Sequence, residues 1–312
     1  MRAREYGVLF ALALIWGASF IFIKVAVAEI SPATTVTLRL AFSVLTLLLI
    51  VAVRPELMAG WRRYWKLGLV VGIINNLIPF VLVSWGETVI ASGVASILNA
   101  TTPLFTVLIA NWLPGTSRET LTPRRGGGVL LGFIGVGVLV GPAALNLGGG
   151  GIAHTLGELA VLVAAAAYGV GAILSRRFGG AATLVAPLSC QLTALVLILP
   201  VALVWSPPTK LPSPGAIGAV AVLGILGTAL AYLLYFWLIH HVGATRTSLV
   251  TYLLPCTALV WGALLLHEHI SWNALAGLLL VLLGTMLTNG AFNGKMRRKA
   301  LPAGMAASTG RY

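Results

Sequence analysis

The chain has 312 residues, is 59% apolar and only 9% charged, and has a mean hydropathy of +0.99. Soluble domains carry about 25% charged residues, so this composition excludes an ordinary cytosolic domain. A net charge of +13 does not restore a nucleic-acid reading, because the basic residues are spread over short loops instead of one folded face.

Arg2 and Arg4 precede the first apolar run. No small-residue cleavage site follows, and apolar runs recur to the C-terminus, so this run reads as a first membrane helix and not a signal peptide. Runs at roughly 7–27, 33–53, 66–86, 90–111, 126–143, 155–175, 182–204, 215–239, 245–266 and 272–291 are each long enough to span a core of about 30 Å. They predict an all-α integral membrane protein with ten transmembrane helices.

The first run holds Trp16 at depth, and the second holds Arg39 about seven residues in, placed either to snorkel to the surface or to attract a carboxylate. Asn76 and Phe80 follow in the third run. Trp85 lies at its end, as an interfacial anchor or a cavity wall. Glu87, just beyond, is placed to pair with Lys24 or Arg39 in an outer gate. In the fourth run Ser92, Ser96, Asn99, Pro103 and Thr106 recur at helical spacing on one face. Asparagine in lipid is costly unless paired, so Asn76 and Asn99 either bond across helices or face a wet cavity.

Glycines at 128, 132 and 135 in the fifth run, answered by Gly277 and Gly284 in the tenth, suit close helix packing. The sixth run brings Tyr168, the eighth Thr228, Tyr232 and Tyr235, and the ninth Ser248, Thr251 and Pro255. Pro103 and Pro255 remove amide hydrogens and predict matched bends. Cys190 and Cys256 lie inside apolar runs, with neither metal spacing nor a disulfide framework. No cofactor is expected.

At a constant offset of 152, Trp16-Gly17 becomes Tyr168-Gly169, Arg39 becomes Gln191, Asn76 becomes Thr228, Phe80 becomes Tyr232, Trp85 becomes Trp237, Ser96 becomes Ser248 and Pro103 becomes Pro255. Of 20 lysines and arginines, 17 fall on one side of the alternating map, which places both termini in the cytoplasm. Since five spans is an odd number, the second half enters upside down. The expected organisation is two inverted five-helix repeats, 5–143 and 154–292, and a basic cytoplasmic tail, 293–312, resting against anionic headgroups.

Leu14-Ile15-Trp16-Gly17-Ala18-Ser19-Phe20, then Ser31-Pro32 and Leu38-Arg39, resemble the opening helices of paired EamA-type domains in the drug/metabolite transporter superfamily. The ends of the halves, Pro103 through Glu119 and Pro255 through Leu266-His267-Glu268, fit as well, although Pro114–Arg118 lengthens the first turn and His267 stands where the family has glycine. The resemblance implies a bacterial inner-membrane transporter, not an enzyme, with a central cavity lined by helices 1, 3, 4, 6, 8 and 9. The aromatic content points to export of aromatic or other amino acids by alternating access. Hydrophobic drugs or metabolites, with or without proton coupling, are the alternative. The partners implied are a small-molecule substrate and lipid, with no nucleic acid, and the sequence leaves the oligomeric state open.

Overall fold

The computed structural model describes residues 2–112, 122–140, 151–179, 183–206, 211–242, 247 and 249–289, with only the backbone at Ile239 and His240. All regular structure among them is helical. We number the helices α1 Ala3–Val27, α2 Pro32–Val53, α3 Trp61–Gly86, α4 Ser92–Trp112, α5 Pro123–Val140, α6 Gly151–Phe178, α7 Val185–Trp205, α8 Pro214–Leu238, α9 Val250–Leu265 and α10 Trp272–Thr288. Helical turns carry α8 on to Val242.

Three helix starts follow from their first residues. Ser31, Ser213 and Ser271 each accept from the main-chain N–H three positions on, at 3.3, 3.2 and 3.1 Å, which satisfies an N–H that a helix start leaves open. Pro32 and Pro214 stand next in line, where the missing N–H costs nothing.

The count of ten spanning helices is corrected. Among the described residues eight helices, α1 to α8, are long and apolar enough to cross a membrane. The runs at 245–266 and 272–291 yield helices of only 16 and 17 residues, α9 and α10. At 1.5 Å per residue these reach about 24 and 26 Å, short of a core of about 30 Å. The two runs took in polar residues at their ends, Thr245, Arg246, Thr247 and Ser248 in one and Asn289 in the other, so run length overstated helix length. Two inverted five-span repeats depended on that count, and the eight spans do not define such a symmetry. The chain is an all-α, multi-pass membrane protein.

One local echo at the 152 spacing is present in the backbone. The ladder of α3 widens to i→i+5 bonding over Ile73–Leu77, and that of α8 over Ile225–Leu230. These segments carry Asn76 and Thr228. Such bulges in a helix often lie at functional positions.

The expected glycine seam pairs α5 with α10. A Cβ on Gly284 would lie 2.5 Å from the Gly128 carbonyl oxygen, and one on Gly135 would lie 2.9 Å from that of Gly277. The two backbones touch, an approach that only small residues allow. The proline pair is less alike than its spacing suggests. α4 breaks at Ala100–Thr101 into Ser92–Asn99 and Thr102–Trp112, with Pro103 at the start of the second piece, whereas Pro255 is buried within an unbroken α9. Pro103 therefore fits the first turn of a new helix, where its missing N–H is harmless.

Candidate functional site

An aromatic group joins α1 to α8. The Trp16 ring centroid is 5.4 Å from Tyr235 and 6.4 Å from Tyr232, and Phe236 lies 5.7 and 6.4 Å from those two tyrosines. Edge-on and tilted contacts of this kind favour packed rings over parallel sandwiches. Tyr232 also meets α3, where Asn75 Nδ2 donates to its hydroxyl at 3.4 Å and to Asn76 Oδ1 at 3.5 Å. Gly171 on α6 lies against this asparagine, since a Cβ there would be 2.3 Å from Asn75 Oδ1.

Arg39 is 8% exposed, well inside the bundle and not snorkelled outward. Its Nε donates to Thr228 Oγ1 at 2.9 Å, and its guanidinium lies 3.7 Å from the Phe80 ring centroid. Thr228 in turn donates to the Leu223 carbonyl five residues back, at 2.8 Å, so the widened segment of α8 fixes the oxygen that receives Arg39. Phe80 and Tyr168 share an apolar cluster with Val36, Leu40 and Ala194. Arg39 takes part in neither of the ion pairs formed among the described residues, Arg54–Glu56 and His154–Glu158. A buried guanidinium held by a hydroxyl and a ring, with no carboxylate, is open to an anionic group.

Buried amide atoms also lack a partner within the chain, Gln191 Nε2 among them. Asn76 is 1% exposed and its Nδ2 has no acceptor, while Asn99 Oδ1 has no donor. One offers hydrogen to an acceptor and the other accepts it from a donor.

The remaining expected site residues spread apart. Ser96 is buried and its hydroxyl is taken by the Gly93 carbonyl at 2.7 Å within its own helix. Thr251 is half-buried on α9. Ser248 lies outside the described residues, as does the tail 293–312. Trp85 is 41% exposed, turned outward where an interfacial anchor belongs.

One end of the bundle is tied shut by side chains. Lys24 Nζ donates to the carbonyls of Glu87 and Ile90 at 2.7 and 2.8 Å, not to a carboxylate. Glu268 accepts from Ser92 N, Ser92 Oγ and Gly93 N at 2.9, 2.9 and 3.2 Å, capping the start of α4 from the α9–α10 turn. Glu29, in the turn after α1, accepts from Ser213 N and Oγ at 2.8 and 2.7 Å. Those bonds, the main-chain one first, hold its exposed carboxyl below the usual carboxylate range.

Asn75, Phe236 and the Glu268 cap of α4 are the contacts that sequence reasoning missed. Asn75 matches Gly227 in the 152 spacing, so the echo hid it, and the Asn75-Asn76 pair was the available signal. The Glu268 turn was visible as a motif, but its distant partners Ser92 and Gly93 were not.

Helices from both halves of the chain thus gather aromatic and polar side chains between them within a membrane bundle. Among the described residues no group of His, Cys or acidic side chains could hold a metal ion. The EamA-like transporter family matches residues 4–141 and again 155–290, and the chain belongs to that family. The uncharacterized transporter YoaV of Bacillus subtilis is 25% identical over 93% of this chain and 97% of its own length. A protein of Streptantibioticus cattleyicolor named as a probable terminal-alkyne amino-acid exporter is 28% identical, over 71% of this chain and 72% of its own. A protein known from a crystal structure is 20% identical with a TM-score of 0.65, covering 92% of this chain and 96% of that one, which shows a shared fold.

Proposed function

We propose that this chain exports amino acids, aromatic ones foremost, from the cytoplasm of a bacterium across its inner membrane. The observation that carries this reading is the set of unpartnered buried atoms, a donor on Asn76 and an acceptor on Asn99, together with the Arg39 guanidinium, which takes part in no ion pair among the described residues. A zwitterion brings a carboxylate for the donors and an ammonium for the acceptor. The rings of Trp16, Tyr232 and Tyr235 suit its side chain. The exporter named in Streptantibioticus cattleyicolor supports the same substrate class.

The charge pattern sets the orientation. Eleven basic residues lie at the start of α1 and at the α2–α3, α4–α5 and α6–α7 connections, against Lys24 and Lys210 opposite, which puts the N-terminus in the cytoplasm and the Lys24 end outside. The ties of Lys24 and Glu29 then close the outer side, and transport proceeds by alternating access. Residues 5–143 and 154–292 rock about the Arg39–Thr228 contact, and the broken α4 and the widened segments of α3 and α8 absorb the movement. A crevice lined by Leu14, Ile15, Phe22, Leu226 and Trp261 lies beside α1 and favours a second reading, hydrophobic metabolites or drugs.

Flux from proteoliposomes loaded in turn with aromatic amino acids, sugars and hydrophobic cations, with and without a proton gradient, separates these readings. Amino-acid efflux above that of protein-free vesicles is expected. Efflux of hydrophobic cations alone would replace this assignment with the second.

A further inference from the structure

We propose that Glu87 is a proton-binding residue, its carboxyl protonated while the Lys24 end is packed as here and ionised when that end opens. Glu87 lies in the turn beyond Gly86 and is 0% exposed, and neither carboxyl oxygen has a hydrogen-bond partner. The nearest cation does not serve it. Lys24 spends donors on the main-chain carbonyls of Glu87 and Ile90, and neither ion pair among the described residues involves this carboxylate.

The groups that face it come from several elements. Lys24 on α1 and Arg39 on α2 attract the ionised form, whereas Glu268 from the α9–α10 turn repels it. α6 packs on this turn through Gly157 against Gly86, and next along stands Glu158, whose own charge partner is His154 at 3.5 Å. α4, α9 and α10 contribute no charged side chain of their own. Burial comes first among these influences and pushes the carboxyl well above the usual carboxylate range, with Lys24 pulling the other way. An unpaired buried carboxylate is costly enough that taking a proton is the cheaper course.

Opening admits water and breaks the O–H bond. The proton passes to water, and a hydrated carboxylate remains beside Lys24. The packed state therefore binds one more proton than the open state between the ordinary carboxylate value, about 4.3, and the raised value of the packed state. Across that window acid on the Lys24 side favours the packed end, and rising pH favours opening. The inference relies on the proposed gating only for the opening step.

Infrared spectra of the reconstituted wild-type protein are expected to show a protonated-carboxyl band at neutral pH. The band should survive in Glu158→Gln and vanish in Glu87→Gln, a variant close in shape to the neutral acid. Flux limited by opening should slow by up to about tenfold for each pH unit of acidification on the Lys24 side, and Glu87→Gln should lose that response. Absence of the band in the wild-type protein overturns the proposal without any variant. So does a band unchanged in Glu87→Gln, or an equal pH response of the two proteins. The spectra need no substrate, so failure of the amino-acid assignment would leave this band in place.

Discussion

Gly284→Leu is expected to cost the chain its folded bundle. The added Cβ alone would lie 2.5 Å from the Gly128 carbonyl oxygen and from the Gly132 nitrogen, and 2.7 Å from Gly132 Cα. These are main-chain atoms of α5, which cannot swing aside as a side chain tip can, so α5 and α10 must separate along their seam. Overpacking in a core costs about 1–3 kcal/mol where neighbours can yield, and here the cost should lie at or above the top of that range. Gly218 on α8 provides the control, because nothing lies within 4 Å of a Cβ built there. Thermal unfolding in detergent should show a large fall in Tm for Gly284→Leu and a small one for Gly218→Leu. Equal Tm values would mean that the seam is not a close contact in the protein.

The second large effect falls on transport. Tyr232→Ala removes ring contacts with Trp16 and Phe236 at 6.4 Å each and the hydroxyl that receives Asn75. Aromatic pairs contribute about 0.5–1.5 kcal/mol each beyond their area. If a bound aromatic amino acid replaces part of this packing, the loss of apparent affinity should be roughly tenfold or more, since 1.4 kcal/mol is a factor of ten. Trp16→Ala should behave alike, with both variants still folded in the membrane. Tyr232→Phe keeps the ring and loses only the Asn75 bond, so its deficit should be smaller. Normal affinity and rate in both alanine variants would show that the substrate does not reach this face.

These two predictions mark what was legible in the sequence. Close packing at glycines 128, 132, 135, 277 and 284 could be read from spacing, because a glycine every turn on an apolar helix has few other uses, but not that α5 and α10 pack on each other with Gly128 against Gly284. Trp16 and Tyr232, 216 residues apart, could be nominated from depth alone, but nothing in their spacing said that their rings meet. The spans were overcounted where the assigned runs took in polar ends. The run at 245–266 opened on the polar residues Thr245, Arg246, Thr247 and Ser248, and α9 begins at Val250. Glu87 shows another limit. Its place at the end of a helix suggested a partner in Lys24, but burial depends on how α1, α4 and α6 close over the turn. The pairing actually made, Lys24 with two main-chain carbonyls, leaves no trace in side-chain pattern.

Arg39 was left between two roles. Its length would let it reach the surface, and sequence offers no means of weighing that against Thr228 and Phe80 on other helices. The widened backbone at Ile225–Leu230 settles where the Thr228 hydroxyl lies, and so where the guanidinium can rest. A backbone irregularity of this sort follows from tertiary packing and not from residue type, because neither Ile-Ile-Asn-Asn-Leu nor Ile-Leu-Gly-Thr-Ala-Leu announces one.

The central claim is that the bundle carries a substrate by exposing one site to each side in turn. Counterflow tests it most directly: proteoliposomes are loaded with unlabelled aromatic amino acid, and uptake of a labelled trace is followed from outside. The account predicts saturable uptake accelerated by substrate on the opposite side, with transient accumulation of label above equilibrium. Uptake that rises without saturation, ignores internal substrate and accompanies an ionic conductance would contradict it and make the protein a channel.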